Sequence, residues 1–206
     1  MYKNLIFDFD GTVGDTYPVF NAGVQASLTA RGFHVDPAET MAALKVTFAH
    51  MAQTFDHLVP ADTMRAELRE YRLAHTEELI QPCAGLLPLL AAARERGVRC
   101  YIYTHSGGEV QKYLQHMGIA EDFVDLMTAD ENYPLKPDPT ALLALCARNN
   151  LSIAESLMIG DRDIDVHAGQ NAGMHGCLFD PDGFYDPAKV GAEINVSSLD
   201  ELIAYL

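Results

Sequence analysis

Carboxylates gather at two points of this sequence, each where a short apolar run ends. Asp8-Phe9-Asp10-Gly11-Thr12 follows Leu5-Ile6-Phe7, and Gly160-Asp161-Arg162-Asp163-Ile164-Asp165 follows Leu157-Met158-Ile159. Residues two apart on a strand share a face, so Asp8 and Asp10 can address one spot. Gly11 allows a sharp turn, after which peptide groups can approach an anion. Two carboxylates so close repel each other unless a divalent cation neutralises them or one keeps a proton. Hard oxygen donors suit magnesium, which takes one or two protein carboxylates and fills its shell with water and phosphate oxygens. Asp161, at a strand end, is the best candidate for a further ligand. Asp165 lies one helical turn on and could orient a neighbour or a metal-bound water. Asp163 is better read as a helix start, where carboxylates are favoured.

Two further elements complete the set. Thr104-His105-Ser106-Gly107-Gly108 combines a hydroxyl, backbone N–H groups and a helix expected from Gly108, which together make an anion cradle. Lys136-Pro137 sits in a loop before a helix and holds the only lysine between Lys112 and Lys189. Singly, each of the four has an ordinary structural reading: a strand-end turn, a helix cap, a capped loop, a solvated surface charge. Together they follow successive strands, in an order that brings them to one edge of a sheet.

The elements that must do this positioning are legible as period and punctuation. Strands are expected at Leu5–Phe7, Val98–Tyr103, Phe123–Met127, Leu157–Ile159, Cys177–Phe179 and, weakly, Ile194–Val196. Helical patterns separate them, at Gly85–Glu95, Gly108–Met117, Pro139–Asn149 and Asp163–Ala172, several stopping at a glycine as helix C-termini do. This alternation predicts an α/β fold with a Rossmann-like, doubly wound parallel sheet. The stretch from about Asp15 to Gln81 breaks the rhythm. It reads as three or four amphipathic helices, near Tyr17–Arg31, Pro37–Phe55 and Ala61–Ile80. The expected division is therefore a core of residues 1–14 and 83–206 with an inserted α-helical cap of residues 15–82. Helical insertions above the C-terminal edge of a parallel sheet often act as lids.

Composition narrows the partners. With 206 residues the chain can bury one good core, or one core and a small appended domain. Its formal net charge of -15, with no basic run, argues against nucleic acid and anionic membrane surfaces. A small anion could still bind where a metal or one lysine outweighs the global field. The four cysteines (Cys83, Cys100, Cys146 and Cys177) form no CxxC pair and are expected as buried thiols. Neither a signal-peptide pattern nor a membrane-length apolar run is seen, so a cytoplasmic protein is expected.

The ordered set DxDGT at Asp8–Thr12, Thr104, Lys136 and GDxxxD at Gly160–Asp165 resembles the haloacid dehalogenase-like hydrolase superfamily over essentially the whole chain. The position of the insertion is similar to the C1-capped branch, which includes phosphoglycolate phosphatases and β-phosphoglucomutases. The resemblance implies a phosphatase that hydrolyses a small phosphorylated metabolite, as monomer or homodimer, with Mg2+ as cofactor. Asp8 would attack phosphorus and form an aspartyl-phosphate. Asp10 would act as acid and then base. Metal ligands would be Asp8, the backbone carbonyl of Asp10 and Asp161, with Asp165 in support. Thr104 and the N–H of His105 would hold phosphoryl oxygens, and Lys136 would neutralise them and tether Asp8.

A phosphomutase of the β-phosphoglucomutase type is the nearest alternative. In those enzymes the cap carries a His and an Arg at places that fall here on Phe20 and Ala49, so hydrolysis is favoured. A dehalogenase would need neither Asp10 nor the acidic metal loop. A non-catalytic metabolite-binding protein would be expected to lose Asp8, Asp10, Lys136 or Asp161, and all four are present. The cap's basic residues, Lys45, Arg65, Arg69 and Arg72, give only a general preference for anions.

Overall fold

The computed structural model describes residues 1–206. Six parallel strands form one sheet: β1 (Asn4–Phe7), β2 (Arg99–Tyr103), β3 (Phe123–Met127), β4 (Ser156–Gly160), β5 (His175–Phe179) and β6 (Ile194–Val196), in the order β3-β2-β1-β4-β5-β6. The sheet is doubly wound and Rossmann-like, as its alternating pattern predicts. The order turns back at β1, which pairs with β2 on one side and β4 on the other. Such a switch point opens a crevice at the C-terminal strand ends, where ligands bind in folds of this kind.

The chain divides into two compact units, Met1–Gly14 with Pro82–Leu206, and Asp15–Gln81. The second is purely helical, with α1 (Tyr17–Thr29), α2 (Pro37–Val46), α3 (Phe48–Thr54) and α4 (Ala61–Leu79). The helical segment expected over Pro37–Phe55 is two helices, which makes four in all, within the three or four expected. Thr47 adopts an extended conformation (φ -165°, ψ 159°), and its hydroxyl accepts the His50 N–H, capping α3. The apolar spacing continued across the break, but a β-branched residue able to cap the next turn ended the first helix there. Phe20, Leu28, Met51, Phe55, Met64 and Leu68 form this unit's core.

In the sheet unit, α5 (Leu86–Arg96), α6 (Val110–His116), α7 (Thr140–Asn149) and α8 (Asp163–Asn171) connect the strands. On one side, Leu142 and Leu145 of α7 pack on Ile6, Tyr101, Met127 and Met158 from four strands, all buried. Because β1, β2 and β4 are covered on both faces they read as continuous apolar runs rather than alternating ones. All four cysteines are free and buried. No helix is long and apolar enough to cross a membrane.

Burial of Leu142 carries a direct expectation. Leu142→Ala should lower stability by about 2–5 kcal/mol through lost transfer energy and the cavity left behind. The urea midpoint measures this; an unchanged midpoint would mean that α7 does not hold the sheet face.

Candidate active site

The parallel register explains why distant motifs meet. Phe7, the last residue of β1, lies opposite Ile102 of β2 and Ile159 of β4. The Asp8 N–H donates to the Ile159 carbonyl at 2.8 Å, continuing the ladder one step. Asp8 therefore leaves the sheet between the segments that continue into Thr104 and Asp161. The loop beyond it is wound tightly: the N–H groups of Val13 and Gly14 both donate to the Phe9 carbonyl, and Gly11 takes φ +79°.

At the centre lies Lys136. Its ammonium contacts Asp8 Oδ1 at 2.6 Å and Asp165 Oδ1 at 2.8 Å, and all three side chains are essentially inaccessible to solvent. It also lies 4.7 Å from the centre of the Tyr103 ring. The surface-charge reading of this lysine is thus overturned. Asp165 Oδ2 accepts the Arg162 N–H at 3.1 Å, so this aspartate is engaged through both oxygens. Its approach depends on Gly160: a Cβ there would stand 2.2 Å from the Asp165 Cβ. The glycine of GDxxxD is thereby a space requirement for the second aspartate.

Burial sets the charge states. It pushes the Asp8 carboxyl up to about 6, against the attraction of Lys136 and with the help of Asp165. For Asp165 burial acts in the same direction, but Lys136 and Arg162 outweigh it and hold the carboxyl below its usual value. Lys136 is raised: burial opposes its charge, and the two carboxylates overcome that. Of the two carboxylates, Asp8 is therefore the one that more readily takes a proton.

Asp8, Asp161 and Asp165 each bring a carboxylate oxygen within 4.8 Å of the others. Asp8 Oδ2 is buried without a hydrogen-bond partner, with Arg162 Nη2 3.8 Å away. Asp161 Oδ1 receives a long contact, 3.4 Å, from the Thr12 hydroxyl. An unsatisfied buried carboxylate oxygen beside a second acidic side chain is a donor set that fits a hard divalent cation. Asp165 stands behind these two, its oxygens committed to Lys136 and Arg162. The Asp10 carboxylate is not in the cluster; it accepts the Ser106 hydroxyl at 2.5 Å.

The loop after β2 differs from the expected anion cradle. The helix begins at Val110, not Gly108. Three of the loop's amides are already used: Ser106 N–H donates to Thr104 Oγ1, Gly107 N–H to Glu109 and Gly108 N–H to Asp130. The His105 N–H is not among them. Its side chain does something the sequence reading did not foresee: Nε2 accepts the Lys136 backbone N–H at 2.8 Å. Two other residues went unassigned. Ser106 was visible as a hydroxyl two residues beyond Thr104, and Arg162 as the only cation inside the acidic motif.

This is a doubly wound α/β fold in which Asp8 stands at the switch point of the sheet. The chain belongs to the haloacid dehalogenase-like hydrolase family, which it matches over residues 5–179. It is 29% identical to N-acetylmuramic acid 6-phosphate phosphatase of Pseudomonas aeruginosa, covering 99% of this chain and 94% of that one. It is 30% identical to phosphoglycolate phosphatase of Psychrobacter arcticus, covering 82% and 80%. The crystal structure of a predicted phosphoglycolate phosphatase from Haemophilus somnus superposes with a TM-score of 0.84 over 99% of this chain and 97% of that one; at 16% identity, that likeness speaks for the fold alone.

Removing the central cation should be costly. Lys136→Met leaves Asp8 and Asp165 facing each other in a buried site, and a loss of about 3–5 kcal/mol is expected at neutral pH. The loss should shrink as pH falls towards about 6 and level off below it: without the attraction of Lys136 the variant's Asp8 takes up its proton at a higher pH than the wild type's, which stands at about 6. Urea titrations of both proteins from pH 8 to pH 5 measure it; a penalty independent of pH would contradict the charge assignment.

Proposed function

We propose that this hydrolase is a magnesium-dependent phosphatase acting on a small phosphomonoester through an aspartyl-phosphate on Asp8. The observation that carries the reading is the state of the Asp8 carboxylate: Oδ1 tethered by the Lys136 ammonium at 2.6 Å, Oδ2 buried and without a hydrogen bond. Such a group is held in place yet not saturated, which is what a nucleophile aimed by its surroundings requires. The names of the two bacterial relatives, phosphatases of N-acetylmuramic acid 6-phosphate and of phosphoglycolate, support the substrate class.

In this reading an Asp8 oxygen forms a bond to phosphorus as the ester P–O bond breaks. Asp10 gives its proton to the departing oxygen. Asp10 then takes a proton from the water that attacks the aspartyl-phosphate, and inorganic phosphate leaves with Asp8 restored. Ser106, donating to Asp10 Oδ2, fixes the direction from which the acid is delivered. Thr104, the His105 N–H and Lys136 hold the phosphoryl oxygens. Asp8, the Asp10 carbonyl and Asp161 would hold Mg2+, with Asp165 behind them, and the ion would supply charge neutralisation for the approaching anion. Residues 15–81 would act as the cap that selects the rest of the substrate. Its cations are partly committed: Arg65 pairs with Asp62, and the Arg72 guanidinium lies 4.2 Å from the centre of the Phe20 ring.

Phosphate release from a panel of small phosphomonoesters, phosphoglycolate and N-acetylmuramic acid 6-phosphate included, should depend on magnesium and stop with EDTA. Asp8→Asn should reduce turnover by at least about 1000-fold, the scale of losing a covalent route. A panel on which the wild-type protein does no better than Asp8→Asn would refute the phosphatase reading.

Ser106→Ala should slow hydrolysis of an alkyl phosphate by about 10-fold, within the range attributed to a positioned acid. It should affect p-nitrophenyl phosphate much less, since that leaving group needs little protonation. Equal losses on both substrates would remove Ser106 from the acid's support.

A further inference from the structure

The segment carrying Lys136 has little regular structure of its own. From Asn132 to Pro139 the chain forms neither helix nor strand, yet it must deliver an ammonium to a fully buried position between two carboxylates. Two contacts from other elements hold its main chain. Asn171, at the end of α8, donates through Nδ2 to the Pro137 carbonyl at 2.9 Å. His105, just beyond β2, accepts the Lys136 N–H on Nε2 at 2.8 Å.

The second contact dictates a protonation state. A backbone amide can only donate, so Nε2 must present a lone pair and the ring proton must sit on Nδ1. An imidazolium has no acceptor and would repel both the amide and the ammonium beyond it. Surroundings agree with a neutral ring: burial, then Lys136 and Arg162, push it down to about 4, against Asp165 and Asp10. The Tyr103 ring lies edge-on to His105, centroids 6.4 Å apart, and turns its face to the Lys136 ammonium. The end of β2 thus grips the lysine twice, at its peptide group through His105 and at its head through Tyr103.

We propose that His105 is a positioning residue for Lys136: its Nδ1-protonated ring clamps the Lys136 backbone N–H and so sets where the buried ammonium meets Asp8. That ammonium has little freedom to compensate, because it is shared between Asp8 and Asp165 at 2.6 and 2.8 Å. A backbone displaced by a fraction of an ångström would lengthen one contact or the other, and misplacement on the 1 Å scale costs about 100-fold in well-organised sites. Its consequence for turnover rests on the reading of Asp8 as nucleophile.

The test has a spectroscopic arm and a kinetic one. In substrate-free wild-type protein labelled with nitrogen-15, long-range proton–nitrogen spectra should show His105 protonated on Nδ1. A through-hydrogen-bond coupling should link Nε2 to the Lys136 amide nitrogen. Kinetically, His105→Leu keeps the bulk and loses the acceptor, and should lower kcat by about 10-fold. His105→Gln, whose side-chain carbonyl reaches about as far as Nε2, should recover most of that loss at similar thermal stability. A proton on Nε2, or a Gln variant no better than Leu, would overturn the role of His105. Were the wild-type protein to turn over no phosphomonoester, the phosphatase reading would fail, while the ring tautomer and the coupling would still decide the clamp.

Discussion

A lysine ammonium without solvent access, wedged between two aspartates, is the contact on which the arrangement of this site depends. Burying one such cation costs several kcal/mol even after relaxation, and the attraction of its partners offsets this only if distances are short and remaining hydrogen-bonding groups are met. Three separate segments must therefore arrive together: the end of β1 with Asp8, the start of α8 with Asp165, and the loop after β3 with Lys136. The parallel register supplies the first two, because β1 and β4 end side by side. The third comes by a longer route, pinned by His105 and Asn171. Such a cluster contributes little net stability, yet its loss would leave uncompensated charge in the interior. It thus enforces one geometry of the strand ends more than it strengthens the fold.

How far this was legible in the sequence follows from which constraints are local. Central strands such as Asn4–Phe7 and Ser156–Gly160 are found where their apolar runs fall, since every position of a strand covered on both faces is buried. The meeting of Asp8, Thr104, Lys136 and Asp161 near one edge follows from strand–loop–helix alternation, which needs no knowledge of side chains. The break at Thr47 was missed because the apolar spacing of α2 runs on into α3. Only the competition between a helical and an extended conformation at one capping residue ends the helix. The burial of Lys136 was equally hidden. Nothing near it in sequence marks it as interior, since its partners stand 128 and 29 residues away. Likewise, His105 shows only its type and place; that its ring nitrogen faces an amide 31 residues on is a tertiary fact.

The loop after β2 illustrates how a generic motif is specialised. A glycine-rich turn before a helix looks like an open set of amide donors. Here Thr104, Glu109 and Asp130 occupy three of them. The loop spends these amides on its own rigidity, and the groups left to act are few: the His105 N–H, a hydroxyl turned to Asp10 and a ring nitrogen turned to Lys136. That economy fits a site in which positioning, rather than a broad field of donors, does most of the catalysis.

Electrostatics then limits what can enter. The whole chain carries a net charge of -15, so any anion approaches against the global field. Locally, the carboxylates of Asp8, Asp10, Asp161 and Asp165 stand against two cations, Lys136 and Arg162, and burial pushes the Asp8 carboxyl up despite the attraction of both. Protonating Asp8 would relieve the imbalance but would also remove the nucleophilicity that the proposed mechanism asks of it. A divalent cation on the unsatisfied Asp8 Oδ2 and on Asp161 would balance the charge without a side chain, keep Asp8 ionised and give the incoming anion a favourable potential. In the proposed mechanism, the acidity of the site would make its affinity for a phosphorylated molecule conditional on the metal.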